Sequence, residues 1–244
     1  MRRWYVYPAD IFQPFECFMD GELVTIVAES NSWKTTFAMD IIKKNAELWR
    51  KGFYINLEFE IKQVRENRWL YNHWKTKMNL TDLKPLTPEE EQNKDRYIEE
   101  QLKAFDYYNN PKGMKLEDVV RVIEEQAMKW YELFVIDTFS RIEWNLSEHP
   151  RASQNKCMEV FQELAQRLWI ALVLLHHTNR AWTFEGSQKI MDLSNVFIIM
   201  TKEDGDGAIP DYRKFILSKD KYITKTEIDV RYNNWVYYDY MKTW

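Results

Sequence analysis

Lys34 and Thr35 stand side by side near the end of a short polar stretch, residues 28–36, AESNSWKTT. A lysine ammonium in such a loop neutralises phosphate oxygens, and a neighbouring threonine hydroxyl can ligate Mg2+. Ser32, Trp33 and Thr36 complete the group that would line the cradle, with backbone N–H groups of the loop and of the following helix directed at the anion. Asp137 ends the apolar run LFVI, where a carboxylate can bind the water shell of the same Mg2+ opposite Thr35. Glu58 follows the run FYINL, and a carboxylate at the end of a strand can polarise a water for attack on a phosphate. His176 and His177 follow ALVLL. With no further His, Cys or acid at ligand spacing, the pair points away from a metal and towards a hydrogen-bonding group that senses the terminal phosphate.

The phosphate-binding pattern is G-x-x-x-x-G-K-[ST], and this loop departs from it twice. Ala28 stands at the first glycine position and Trp33 at the second. The second glycine often has a backbone shape that costs a bulky residue energy. Two outcomes are open at position 33. Trp33 is held at positive φ and strained, or the loop has re-shaped so that Trp33 takes an ordinary φ and packs its ring on the helix or on a bound nucleotide. The plain alternative for the whole stretch is a strand, a loop and a helix with an incidental Lys-Thr.

The elements that would position these residues are legible as strands and helices in alternation. Apolar β-branched runs at 23–27, 53–57, 133–136, 171–175 and 196–200 read as buried strands, with a further strand at 105–108. Helices are expected from Thr35, through the charged stretch 61–104 with a break at Pro85 and Pro88, over 116–130, and around the stripe Cys157, Val160, Phe161, Leu164, Leu168. Residues 109–113, NNPKG, read as a turn, and residues 141–152 as a polar, partly basic loop. The stretch 181–194 reads as a loop leading to a helical turn. The stretch KFILSKDK runs from a strand into Lys219 and Lys221, and two last strands flank Asn233 and Asn234. Residues 1–20, aromatic and broken by Pro8 and Pro14, form an N-terminal arm that docks on a neighbouring subunit or packs on its own domain.

The 244 residues, 45% of them apolar, suffice for one sizeable α/β domain over residues 21–244. A net charge of −4 excludes a protein that coats nucleic acid by bulk charge, so any nucleic-acid site is a local patch. Cys17 and Cys157 form no metal or redox spacing, which suits a reducing, cytoplasmic setting. The N-terminus lacks the apolar core of a signal peptide, and the longest apolar run, 168–175, is too short to cross a bilayer. No membrane partner is expected.

In this order, the motifs resemble the RecA-like ATPase core of the DnaB-type replicative helicases and of the plasmid-type, RepA-like hexameric helicases. The resemblance spans about residues 20–240 and rests on GELVTIVAESNSWKTTFAMDI, INLEFE, LFVIDTFSRI, VLLHHTNR, EGSQKIMDLSNVFIIM and FILSKDK. It implies a twisted, mostly parallel sheet flanked by helices, with antiparallel strands at the C-terminus. It implies ATP and Mg2+ at the loop, the catalytic role on Glu58, Mg2+ coordination on Asp137 and the phosphate sensor on His177. It places Lys219 and Lys221 where the family carries a Lys-x-Arg finger that acts on a neighbour's nucleotide, and so implies a head-to-tail homo-oligomer, expected as a hexamer. Lys221 keeps the charge of the finger arginine but not its planar pair of donors.

Two functions follow. One is an ATP-driven helicase or translocase on single-stranded DNA, in replication of a phage, plasmid or mobile element and in company with replication proteins. Nucleic acid would then pass the loops 141–155 and 179–190, where Arg141, Arg151, Arg180 and Lys189 offer cations and Trp182 a stacking face. The other is a degenerate, non-hydrolysing accessory or scaffold that keeps the fold; Trp33 and Lys221 favour it.

Overall fold

The computed structural model describes residues 2–29, 33–74, 86–103, 105–143, 150–178, 188–202, 212–220, 223–233 and 236–239. A nine-stranded sheet organises them. Its strands are β3 (Leu23–Ala28), β4 (Gly52–Asn56), β5 (Asp106–Asn109), β7 (Leu133–Asp137), β9 (Ala171–His177), β10 (Val196–Thr201), β11 (Tyr212–Lys219), β12 (Thr226–Asn233) and β13 (Val236–Asp239). They lie in the order β13-β12-β11-β10-β3-β9-β7-β4-β5. The six from β10 to β5 are parallel, and β11, β12 and β13 are added antiparallel. This is the RecA-like arrangement; the inner strands β3, β4, β7 and β9 are apolar runs with both faces covered, whereas the edge strand β5 (DYYN) is largely exposed.

Helix α1 (Lys34–Glu47) covers one face. Its Phe37, Ala38, Ile41 and Ile42 pack into a core with Val24, Ile26, Tyr54, Val173 and Phe215. Gly52 opens β4 at a point where any Cβ would lie 2.6 Å from Ile42 Cγ2, so the close approach of strand and helix needs glycine. On the other face α4 (Leu116–Ala127), α5 (Pro150–Leu168) and α6 (Gln188–Leu193) pack through Val119, Ile123, Phe161, Leu164 and Ile190 against Ile136, Leu172 and Leu174. Helices α2 (Ile61–Trp74) and α3 (Pro88–Lys103) pack on one another beyond β4.

The N-terminal segment lies on its own domain. Strands β1 (Trp4–Val6) and β2 (Cys17–Met19) pair antiparallel around a 3-10 turn, Asp10–Phe15. Tyr5, Phe12, Phe15 and Phe18 are buried in the α1-side core. Buried Asn45 of α1 ties the segment down, accepting from the Val6 N–H and donating to its carbonyl. The stretch 141–152, expected as one loop, differs. A 3-10 turn, Phe139–Arg141, leads into β8 (Ile142–Glu143), which pairs parallel with β6 (Met114–Lys115), and α5 already begins at Pro150. Proline at a first helical position is pre-set for the helix and has no N–H to leave unpaired.

Candidate phosphate site

The carboxyl ends of four adjacent strands bring five of the expected residues together. β3 delivers the chain to the loop that ends at Trp33, and Lys34 and Thr35 open α1 beneath it. β7 ends on Asp137, two strands from β3. Between them β9 runs on through His177, because His176 and His177 pair in register with Val27 and Ala28; sequence alone places the two histidines just past the strand. β4 sends Glu58 in from the next position. Parallel strands with level ends thus do what sequence spacing cannot: they place residues far apart in the chain at one edge of the sheet.

Two hydrogen-bonded chains result. Lys34 Nζ lies 3.0 Å from His177 Nδ1, and His177 Nε2 lies 3.2 Å from Glu58 Oε2. An ammonium has only donors, so Nδ1 is the acceptor and the imidazole proton sits on Nε2, donated to Glu58. In the second chain Asp137 Oδ2 accepts from both Thr35 Oγ1 and Tyr54 OH, each at 2.6 Å. The other oxygen, Oδ1, is buried and has no hydrogen-bond partner among the described residues. A carboxylate oxygen left open beside a threonine hydroxyl is the donor set a hard divalent cation takes, so Thr35 and Asp137 fit the expected Mg2+.

The electrostatics follow from burial. Burial pushes the Lys34 amine below its ordinary value, although Asp137 and Glu58 pull the other way. Burial pushes the Asp137 carboxyl up, against the hydrogen bonds from Thr35 and Tyr54 and the charge of Lys34. Burial raises Glu58 too, but the hydrogen bond from His177 and the charges of Lys34 and Arg141 outweigh it, and Glu58 lies below its usual range. His176, half-buried and edge-on to Phe139, is lowered by desolvation to about 4 and is neutral at physiological pH.

Trp33 combines the two outcomes its sequence left open. Its backbone is left-handed, φ 68° and ψ 12°, and its ring is nonetheless packed. The guanidinium of Arg213, buried at the start of β11, lies 4.0 Å from the ring centroid. Thr36 lies in the first turn of α1. Ser32 falls outside the described residues.

The other expected residues are dispersed. Lys219 lies at the opposite edge of the sheet, paired with Phe197 at the start of β10, and its ammonium donates to the carbonyls of Met191 and Asp192 at the end of α6. Within one chain it therefore does not meet the phosphate cluster. Arg141 is exposed in the 3-10 turn after β7. Lys189 is ion-paired with Glu159 at 2.8 Å. Arg151 is in the first turn of α5, with its side chain outside the described residues, as are Arg180, Trp182 and Lys221 altogether. Sequence reasoning missed Tyr54 and Arg213. A tyrosine inside the run FYIN and a charged residue opening an apolar strand were the available signals.

The site and sheet define a RecA-like P-loop ATPase domain. The profile of the AAA domain family matches residues 2–181, and the chain belongs to that family of ATP-binding domains. No curated relative matches it in sequence. Among solved structures it is similar to an ATPase domain solved on its own, with TM-score 0.70 and 13% identity over 87% of this chain and 82% of that one. It is similar to a DnaB-like replicative helicase, TM-score 0.69 and 12% identity, covering 88% of this chain and 57% of the helicase. The RadB recombinase matches with TM-score 0.61 and 14% identity over 94% of this chain and 96% of its own. Among the described residues no helix is long and apolar enough to cross a membrane.

Proposed function

We propose that the chain is an ATP hydrolase that acts on single-stranded DNA, a helicase- or translocase-type motor of phage, plasmid or mobile-element replication. The observation that carries it is the convergence of Lys34, Thr35, Glu58, Asp137 and His177 at one edge of the sheet. Lys34 holds the outer phosphates; Thr35 and Asp137 hold Mg2+, which neutralises charge on the phosphate oxygens. Glu58, kept ionised beside His177, orients the attacking water. The hydrogen-bonded chain supports a sensing role for His177. Lys34 rests on His177 where a phosphate would otherwise claim it. A bound terminal phosphate takes Lys34 and changes the partner of His177, and through Nε2 the hold on Glu58. Arg141, whose charge reaches Glu58, extends that link to the 3-10 turn at the start of the DNA-facing stretch 141–155.

The fold similarity to the solved ATPase domain and the DnaB-like helicase supports a head-to-tail ring, with Lys219 and Lys221 acting on a neighbour. Arg141, Arg151, Arg180, Trp182 and Lys189 line the DNA path in this reading. The DnaB-like helicase interacts with primase, and a priming protein is the partner class we assign here. A second reading, a non-hydrolysing accessory, draws on Trp33 and on Lys219 capping α6 within its own chain. The test is ATP turnover by the purified chain with and without single-stranded DNA. Turnover stimulated by DNA supports the motor. Nucleotide binding without turnover, in either condition, supports the accessory.

A further inference from the structure

Five non-glycine residues among those described have φ in the left-handed region, and four are tryptophans: Trp33 at 68°, Trp49 at 61°, Trp130 at 68° and Trp169 at 53°. The fifth is Glu16. Left-handed backbone is costly for any side chain with a Cβ. Asn and Asp visit it because they can hydrogen-bond locally; an indole on Cβ has no such relief.

The four positions share a second property: each is where local structure calls for glycine. Trp49, Trp130 and Trp169 each follow a helix, α1, α4 and α5, and lead into β4, β7 and β9. All three ends make the same pair of bonds. Trp49 N–H donates to Ala46 and Arg50 N–H to Asn45; Trp130 N–H to Ala127 and Tyr131 N–H to Gln126; Trp169 N–H to Gln166 and Ile170 N–H to Ala165. This three-back, five-back pair is the Schellman end, whose left-handed residue is usually glycine. Trp33 immediately precedes Lys34-Thr35, where the phosphate-loop pattern has glycine.

The helix-end indoles bury little in return. Trp49 is 94% exposed, Trp130 77% and Trp169 55%. Composition agrees: the chain has 6 glycines and 11 tryptophans in 244 residues, whereas glycine is ordinarily roughly 7% of a protein.

We propose that positions 33, 49, 130 and 169 are glycine positions, and that the gene specifies them with a codon, such as UGA, that one genetic code reads as tryptophan and another as glycine. Three helices then stop on unstrained ends, and the phosphate loop closes on glycine, lysine and threonine. The consequence for phosphate binding rests on the nucleotide reading above; the backbone argument does not.

The direct test weighs peptides of the protein purified from the cell that carries the gene. Trp69 serves as internal control, because it lies within α2, where glycine weakens a helix. Glycine at the four positions with tryptophan at 69 is the expected result. Tryptophan at the four positions overturns the proposal and makes the exposed indoles a docking surface to be explained. A second test uses the recombinant full chain with Trp49→Gly, Trp130→Gly and Trp169→Gly combined. The melting temperature should rise; a fall would show that the indoles hold the structure and would refute the backbone argument. Neither test involves nucleotide, so failure of the ATPase reading leaves both intact.

Discussion

Position 33 yields the sharpest energetic prediction for the chain as it is written. A left-handed Trp33 costs on the order of 1–2 kcal/mol. The stacked Arg213 guanidinium, 4.0 Å from the ring centroid and 5% exposed, returns ~0.5–2 kcal/mol, towards the upper end because it is desolvated. The clamp therefore cancels most of the strain and holds Trp33 left-handed, the shape that the nucleotide reading proposed above needs. Removing the strain alone, with Trp33→Gly, leaves up to about 1 kcal/mol to gain, a tightening of ATP binding of no more than about five-fold. Removing the clamp alone, with Arg213→Met, lets the strained loop relax away and weakens binding about ten-fold, through the smaller fraction of competent loop. In the Trp33→Gly background the same Arg213→Met change should be nearly silent, since no ring remains to hold. Calorimetric ATP affinities for the four proteins measure the coupling directly. Equal weakening by Arg213→Met in both backgrounds would refute the clamp and mean that Arg213 supports β11 or the nucleotide itself. Weaker binding by Trp33→Gly would mean that the indole is part of the binding surface.

Lys34→Ala removes the buried cation at the centre of the site and should abolish measurable MgATP binding by calorimetry; unchanged affinity would place the nucleotide elsewhere. Tyr54→Phe deletes one of the two donors to Asp137 Oδ2 and should raise the Mg2+ concentration needed for half-maximal ATP binding by about 10-fold, with little effect on Mg2+-free binding. Lys34 sits below its ordinary pKa of 10.5 because it is buried. Its charge is lost earlier as pH rises, so ATP affinity should fall on the alkaline side at a pH below that value. Glu58 sits below its ordinary 4.5, stays ionised, and adds no acid limb above that pH in a pH–rate profile. Lys219→Ala and Lys34→Ala proteins, each inactive alone, should regain ATP turnover when mixed if Lys219 acts on a neighbour's nucleotide; no recovery would confine it to capping α6.

The inner strands are legible in the sequence because buried parallel strands are apolar runs, and three of them, β4, β7 and β9, end on or next to a candidate site residue. Leu133 to Asp137 and Gly52 to Glu58 can be read without coordinates for that reason. The His177 pairing is not legible, because register with Ala28 decides whether His177 ends the strand or follows it. Tyr54 is hidden by its own strand: between Phe53 and Ile55 it reads as core, and only the position of β7 beside β4 aims its hydroxyl at Asp137. Arg213 is hidden by distance along the chain. Nothing local to β11 announces that β10 alone separates it from β3 and brings its start beside the phosphate loop. The loop 141–152 reads as too long because its polar composition outweighs one proline, and that proline starts a helix.

The phosphate cluster and Lys219 lie at opposite ends of the strands, too far apart to meet within one chain. Strands β3, β4, β7 and β9 run towards the phosphate cluster, while β11 runs the other way and carries Arg213 at its beginning and Lys219 at its end. Within one chain Arg213 is thus the cation of β11 that stands by the loop, and it is engaged with Trp33. Lys219 is held away from the loop by the length of the strand, on the carbonyls that end α6. Burial holds its amine below the ordinary lysine value, although the charge of Asp192 pulls the other way. In the head-to-tail ring proposed above, a second subunit would place its own loop against the edge that carries Lys219; in the accessory reading Lys219 only caps α6.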